Sequence, residues 1–589
     1  MKLERQIWYC NGMARVFRVG VFLVAVILAQ AAWGVSLTVN IEGLDQKLRA
    51  HVLTYLDISR EQGNGNLTQA RVQRLHERAP EQIKTALQVY GYYQARVKSD
   101  LRQEEQQWIA TYSIELGDPI RIESVDLQVS GEGQNNPEIK AAVAKFPITK
   151  GQPLEQPRYD KARDALFRTA IEQGFLDAQF IKRELRVDLR TYTAAVILYL
   201  QTGDRYYFGP VSFNQNFLAE TYLRGYVKFK PGDPYSPVKL LQLQTTLSDS
   251  GMFQSVDVKA NRAQVITNQV PIEVTLSARK RRQWRFGLGY ATDTDARASI
   301  NYNQIVGSEG DKFESRLLVS NTTKRFTAGY SIPLADPVKD QVGIGVHYSD
   351  ETINDRESLV SGLTVSHTTA WGEWQRVISL NYDREVYTIA SEPQETGRAL
   401  YPVYSLTRIR ADNRLYTRHG SRIYLELRGA NKNILSDTNY VQLRAGLKWI
   451  RGLGEDNRIL LRGDFGSTNV ASLSSMPLSQ RFFAGGDNSV RGYGYQELGP
   501  KDAFGYVVGG KHLIVGSVEL EHRLSGNWST AIFYDVGNAI NSMSDPLVAG
   551  AGFGMRWNSP VGPVRFDFAW ALDKPTDRFR LHVVIGPDL

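Results

Sequence analysis

Arg481-Phe-Phe-Ala-Gly-Gly-Asp-Asn-Ser-Val-Arg-Gly-Tyr493 is the stretch whose reading decides the fold. It sits inside a connection of roughly 40 residues, 471–510, and a connection this long is uncommon unless it carries function. Gly485, Gly486, Gly492 and Gly494 allow tight turns close to other chain. Arg491 stands between Val490 and Gly492, an odd place for a solvated charge. If the loop folds inward, Arg491 requires an acidic partner, because an unpaired buried charge is expensive. Phe533-Tyr-Asp-Val-Gly-Asn-Ala539 supplies the best candidate. Alternation turns Ile532, Tyr534 and Val536 one way, and Phe533, Asp535 and Gly537 the other. Arg556 shares the inward face, while Glu519 and Glu521 compete with Asp535 as partners. Reversing the charge at Asp535 should impair folding or docking of the loop, and a paired reversal with Arg491 should partly restore it.

The loop is embedded in a region of period two. In 440–452, Val441, Leu443, Ala445, Leu447 and Trp449 oppose Gln442, Arg444, Gly446 and Lys448. The segments 512–524 and 563–573 alternate in the same way. Sixteen such strands fit between Trp284 and the last residues, with about 19 residues per strand and turn, enough for membrane strands of ~10 residues. The charged faces would be costly in a packed soluble core and are comfortable in a wet lumen. The expected fold of 281–589 is a 16-stranded antiparallel transmembrane β-barrel with a plug loop over 471–510.

Upstream, the chain repeats itself with a period near 80 residues. Gly91-Tyr-Tyr-Gln-Ala-Arg-Val97, Gly174-Phe-Leu-Asp-Ala-Gln-Phe180 and Gly251-Met-Phe-Gln-Ser-Val-Asp-Val258 each follow a helical run. In each, glycine ends the helix and an aromatic or Met-Phe pair follows inward. Lys150-Gly-Gln-Pro-Leu-Glu-Gln-Pro157 and Lys230-Pro-Gly-Asp-Pro-Tyr-Ser-Pro237 are matching connectors. The order in each unit is β-α-α-β-β, over 35–117, 118–204 and 205–280.

Residues 1–34 read as a secretory signal peptide: Arg15 and Arg18, then an apolar run from Val19, then small residues before Gly34. The one cysteine, Cys10, precedes that run, so the mature chain would hold neither disulfides nor thiolate metal sites. The formal net charge of +8 is mild for 589 residues and its basic residues are scattered, which gives no case for nucleic acid. The sequence holds no Gly-x-Ser-x-Gly, His-Glu-x-x-His or Walker loop. Neither an enzyme nor a cofactor is expected.

Barrel closure must pair the first strand, 284–291, with the last, 579–585. Gly287 and Gly289 lie in the first, and Gly586-Pro587 ends the last. Proline donates no ladder hydrogen bond, so pairing should fail there. A frayed terminus is the plain alternative.

The repeats, the strands and the loop together resemble the BamA/TamA superfamily of outer-membrane assembly barrels with POTRA domains. Three repeats resemble the TamA-type branch; BamA carries five, and two-partner secretion transporters carry two. The resemblance implies that Val490, Arg491, Gly492 and Tyr493 form the plug-loop motif. It implies docking of that motif at Asp535, with Phe533, Gly537 and Arg556 around it. It also implies a seam that opens sideways near Gly287, Gly289, Gly586 and Pro587. The implied activity is insertion or secretion of client proteins such as autotransporters at the outer membrane of a Gram-negative bacterium, in contact with outer-membrane lipid. The implied partner is a TamB-like inner-membrane protein that docks near the first repeat. A two-partner-type secretion pore, the outer-membrane end of a lipid-transport bridge and a passive channel stay open as alternatives.

Overall fold

The computed structural model describes residues 36–64, 67–104, 107–390, 392–413, 416–559 and 562–585. The signal-peptide segment and Gly586-Pro587 therefore lie outside the described residues.

The N-terminal half builds three small sheets. The first holds β1 (Ser36–Glu42), β2 (Arg96–Glu104) and β3 (Gln107–Glu115) in the order β1-β3-β2, with β1 parallel and β2 antiparallel to β3. Its helices are α1 (Gln46–Tyr55), α2 (Asp57–Arg60) and α3 (Gln69–Gln88). In α3, Val72, Ala79, Ile83, Ala86 and Leu87 are buried, which is the stripe expected of a helix packed on one face. Trp108, Ala110, Tyr112 and Ile114 alternate along β3 to meet it. The four-residue α2 is an addition to the expected β-α-α-β-β order.

The second sheet repeats this order with β4 (Arg121–Ser130), α4 (Pro137–Ala144), α5 (Gln156–Glu172), β5 (Gln179–Asp188) and β6 (Thr193–Gln201). The third does so with β7 (Tyr207–Asn214), α6 (Glu220–Arg224), α7 (Pro237–Asp249), β8 (Phe253–Ala260) and β9 (Gln269–Ala278). Gly91, Gly174 and Gly251 all take positive φ (85°, 93° and 71°), the left-handed conformation that ends each long helix. The first two sheets belong to one compact unit, whereas most of the third clusters with the barrel.

The C-terminal half is a closed barrel of sixteen antiparallel strands in sequential order. They are β10 (Arg282–Ala291), β11 (Asp295–Val306), β12 (Asp311–Ser320), β13 (Thr323–Pro333), β14 (Asp340–Ile353), β15 (Arg356–Trp371), β16 (Trp374–Ile389) and β17 (Glu395–Ala411). β18 (His419–Ala430), β19 (Tyr440–Leu453), β20 (Asn457–Val470), β21 (His512–Ser525), β22 (Trp528–Ile540), β23 (Val548–Ser559), β24 (Gly562–Ala571) and β25 (Phe579–Ile585) complete it. The fold class read from the sequence is the one observed. Along β22 the outward Ile532 and Tyr534 are exposed, while Phe533 and Asp535 are buried. A sheet that closes on itself suits a membrane crossing by strands, because strand-to-strand pairing satisfies backbone groups within the wall, the seam between β10 and β25 apart. No described helix is long and apolar enough to cross a membrane.

Candidate functional site: the plug loop and the seam

The connection between β20 and β21 is pinned inside the barrel. On one wall, Glu385 of β16 accepts the backbone amide of Ser479 at 3.0 Å and its hydroxyl at 2.7 Å. Arg356 of β15 donates to the Val507 carbonyl at 3.0 Å. Arg481 donates to the carbonyls of Met476 (2.9 Å) and Val508 (3.1 Å). Phe482, Ala484, Val490 and Tyr493 form a buried apolar cluster with Val515, Ala539 and Ala571 of the wall.

The opposite wall holds the charge site. Arg491 is 5% exposed. Its Nε donates to Asp535 Oδ2 at 2.7 Å and its Nη2 to Asp535 Oδ1 at 2.9 Å, a bidentate pair. Its own backbone amide donates to the same Oδ2 at 3.0 Å. Nη1 reaches Glu519 Oε2 at 2.8 Å and Asp567 Oδ2 at 3.1 Å. The guanidinium carbon lies 3.5 Å from the centroid of the Phe533 ring, so the cation also rests on an aromatic face. Arg556 closes the network, 2.7 Å from Glu519 Oε1 and 2.6 Å from Asp567 Oδ1. Ser517 donates to Asp535 Oδ1 at 2.5 Å.

Four consecutive strands supply these groups, because Ser517 and Glu519 (β21), Phe533 and Asp535 (β22), Arg556 (β23) and Asp567 (β24) all face the lumen. Two buried arginines meet three buried carboxylates here. Arg462 of β20, which donates to the Ser489 carbonyl of the loop, adds a third cation within electrostatic reach of Asp535 and Glu519. Such a network persists only when nearly every group is satisfied.

Backbone shape completes the seat. Gly492 has φ of 93°, and a Cβ there would lie 2.6 Å from Ala571 N. Gly550 faces it from β23, and a Cβ at that position would lie 1.9 Å from the Arg491 carbonyl oxygen. Gly537 shares the inward face of β22 opposite Val515, and its glycine admits the neighbouring backbone rather than Arg491.

Of the competing acids, Glu519 joins the site. Glu521 pairs instead with Arg458 at 2.6 Å. Asp567 and the glycines of β23 were not singled out from the sequence. The available signal was their inward position on alternating strands, visible in Val564, Phe566 and Phe568 against Asp567, and in Gly550-Ala-Gly-Phe-Gly554.

At the seam, β10 is paired along its whole length with β11, from Arg282–Gln304 to Ala291–Asp295. Its other edge meets β25 at one residue pair, Ala291 opposite Val584. One further bond, Thr292 N to the Val583 carbonyl, is 3.3 Å long. From Arg282 to Tyr290 this edge has no ladder partner among the described residues. Trp284, Phe286 and Leu288 along it are 60%, 76% and 92% exposed. Gly287 and Gly289 lie in this stretch, where a Cβ would crowd Ser299 and Arg297 of β11. They make room for the inner face of the neighbouring strand, and neither stands opposite the described part of β25.

The Omp85 superfamily domain matches residues 250–588. A POTRA domain described as TamA domain 1 matches 38–116, and a surface antigen variable number repeat of the POTRA type matches 206–279. The outer membrane protein assembly factor BamA of Neisseria meningitidis serogroup B is 22% identical over 576 residues, covering 85% of this chain and 71% of that protein. BamA of Nitratidesulfovibrio vulgaris is 22% identical over 372 residues, covering 60% of this chain; the chain spans about half (46%) of that relative's length. The crystal structure of BamA from Haemophilus ducreyi lacking POTRA domains 1–3 has a similar fold, with a TM-score of 0.65 at 16% identity, covering 79% of this chain and 99% of that one. The barrel lies in the outer membrane with its POTRA domains in the periplasm of a Gram-negative bacterium. With a domain match over more than half of its length, the chain belongs to the Omp85 superfamily.

Proposed function

We propose that this chain is the outer-membrane subunit of a TamA-type translocation and assembly module, which inserts or secretes client proteins such as autotransporters through its seam. The single observation that carries the reading is the edge of β10, which among the described residues meets β25 only at Ala291 and Val584. An unpaired strand edge is a template for strand addition. A client strand that docks there satisfies its backbone groups before it enters lipid, so no nucleotide hydrolysis is required of this chain. The plug loop, fixed through Arg491 to Asp535, Glu519 and Asp567, would hold the barrel in shape while one junction stays weak.

The TamA-type first repeat at 38–116 supports this branch over a BamA reading. On this reading the first repeat docks a TamB-like inner-membrane partner, and the POTRA domains occupy 35–117, 118–204 and 205–280. The test is to lock the seam with cysteines at Ala291 and Val584, which face each other in register and suit the Cα separation of a disulfide. Autotransporter assembly in cells should fall at least tenfold when the pair is oxidised and recover on reduction. Undiminished assembly with a fully oxidised pair would remove the reading.

A further inference from the structure

Five cations stand within seven positions where the third POTRA sheet hands over to the barrel: Arg279, Lys280, Arg281, Arg282 and Arg285. All five are exposed, and none forms an ion pair with a described residue. Other cations of the same rim are neutralised. Lys228 lies 2.9 Å from Asp336, in the turn after β13, and Arg408 and Arg410 of β17 share Glu373, in the turn after β15. Like charges packed this closely repel one another, so the run suits an anion supplied from outside the chain.

Four of the five converge. Arg281 turns away and donates to the Phe217 carbonyl at 3.3 Å. Arg279, Lys280, Arg282 and Arg285 line one cleft of about 830 Å³ together with Trp284 and Phe253. Alternation puts Arg282 and Trp284 on the outer face of β10 and Arg285 on the inner one. They meet in one cleft because the edge beside them has no ladder partner among the described residues. Arg279 also donates to the Gly251 carbonyl at 3.4 Å, a contact that orients its guanidinium without neutralising it.

The cleft lies at a definite depth. The third POTRA sheet ends with β9 at Ala278 and β10 begins at Arg282, so this end of β10 is the periplasmic one. The exposed Trp284, Phe286 and Leu288 follow Arg282 at every second position. At about 3.3 Å per residue, Arg282 and Leu288 stand about 20 Å apart along the strand. With a strand tilt of about 45°, that is roughly 14 Å of depth, about half of a hydrocarbon core of ~30 Å. The rings of Trp284 and Tyr302 lie 4.5 Å apart and those of Tyr302 and Phe313 6.2 Å, an aromatic cluster of the kind found at a membrane interface. The cations therefore stand at the headgroup level of the periplasmic leaflet, and the apolar ladder runs from them toward the middle of the bilayer.

We propose that this cleft binds an anionic phospholipid of the periplasmic leaflet. Its phosphate and negative headgroup take Arg279, Lys280, Arg282 and Arg285, and an acyl chain lies along Trp284, Phe286 and Leu288. A guanidinium can engage two phosphate oxygens at once. Clusters of four or more cations beside a membrane segment are a signature of anionic headgroups. A zwitterionic lipid would bring its ammonium into the same cluster and is disfavoured. The site rests on charge and depth, not on client insertion.

The test uses the full chain in nanodiscs of phosphatidylcholine with about a tenth of phosphatidylglycerol, one lipid or the other being radiolabelled. A photoreactive phenylalanine analogue replaces Phe286, or Ile378 of β16, which is also exposed on the outer face. Corrected for its share of the lipid, phosphatidylglycerol should label position 286 at least about fivefold more than phosphatidylcholine, with no such preference at 378. Replacing all four cations together (Arg279→Gln, Lys280→Gln, Arg282→Gln and Arg285→Gln) should bring position 286 to the level of 378. Lysine at the three arginines keeps the charge and should keep the preference. Heat-modifiable migration on gels shows that each variant is a folded barrel. Equal labelling by the two lipids at 286, an equal preference at 286 and 378, or a preference that survives the four glutamines overturns the proposal.

Discussion

Arg491 concentrates the chemistry of the molecule in one side chain. Its guanidinium is shared among three carboxylates, so removing one partner does not leave it bare, yet removing Arg491 leaves Asp535, Glu519 and Asp567 crowded together. Breaking a buried pair by removing one partner costs about 3–5 kcal/mol. Arg491→Ala should therefore exceed Asp535→Ala in its effect on barrel stability, measured as the midpoint of heat-modifiable migration. The crowding also corrects the sequence-based expectation for a paired reversal. An aspartate at 491 would face Glu519 and Asp567 as well as the new arginine, so Arg491→Asp with Asp535→Arg should restore little of the stability lost in Asp535→Arg.

At this scale the sequence is informative about faces and silent about heights. Alternation places Asp535 and Glu519 inward, but the register of four strands decides which acids reach one cation. Glu521, two residues from Glu519, is one step too far along β21 and pairs with Arg458. Asp487 of the loop and His582 of β25 are in contact across 95 residues of sequence and carry no local pattern.

The elements show why the loop has a fixed seat. β23 presents Gly550, Gly552 and Gly554 at every second position, so its inward face is bare backbone from 550 to 554, ahead of Arg556. A Cβ at 550 would overlap the Arg491 carbonyl, and one at 552 would lie 2.1 Å from the Phe568 carbonyl. Gly550→Val should expel the loop while β23 keeps its outward residues. Protease cleavage within 481–493 should rise at least tenfold in folded protein, whereas Gly516→Ala, whose added Cβ meets only a Val536 methyl at 3.7 Å, should leave cleavage unchanged.

Alternating glycine is visible in the sequence but reads equally as a weak strand, and only the approaching chain gives it meaning. The long helices are easier to read, since α3 and α5 carry apolar stripes and each of α3, α5 and α7 is followed by a glycine of positive φ. The four-residue α2 escaped because one turn is too short to display a period. Gly586-Pro587, where the sequence places the failure of pairing, lies outside the described residues; among these, the ladder between β10 and β25 holds only Ala291 and Val584, and most of β10 runs past the described end of β25. That extent depends on how two distant strands overlap, which neither strand encodes alone.

For the whole molecule, the loop and the seam divide the labour. A barrel filled by residues 471–510 should conduct ions poorly, and deleting 481–493 should raise single-channel conductance in planar bilayers several-fold. An unchanged conductance would mean that the loop does not occlude the lumen in a bilayer. The central claim concerns the opposite feature, the edge of β10 that has no ladder partner among the described residues. Photoreactive residues placed singly from Trp284 to Tyr290 on β10, with a stalled autotransporter client present, test it most directly. The account predicts strong client crosslinks along this edge, with none from outward positions on β15 and β16, whose ladder runs unbroken from Arg356–Ile389 to Trp371–Trp374. Client crosslinks confined to lumen-facing positions, with none from β10, would contradict it.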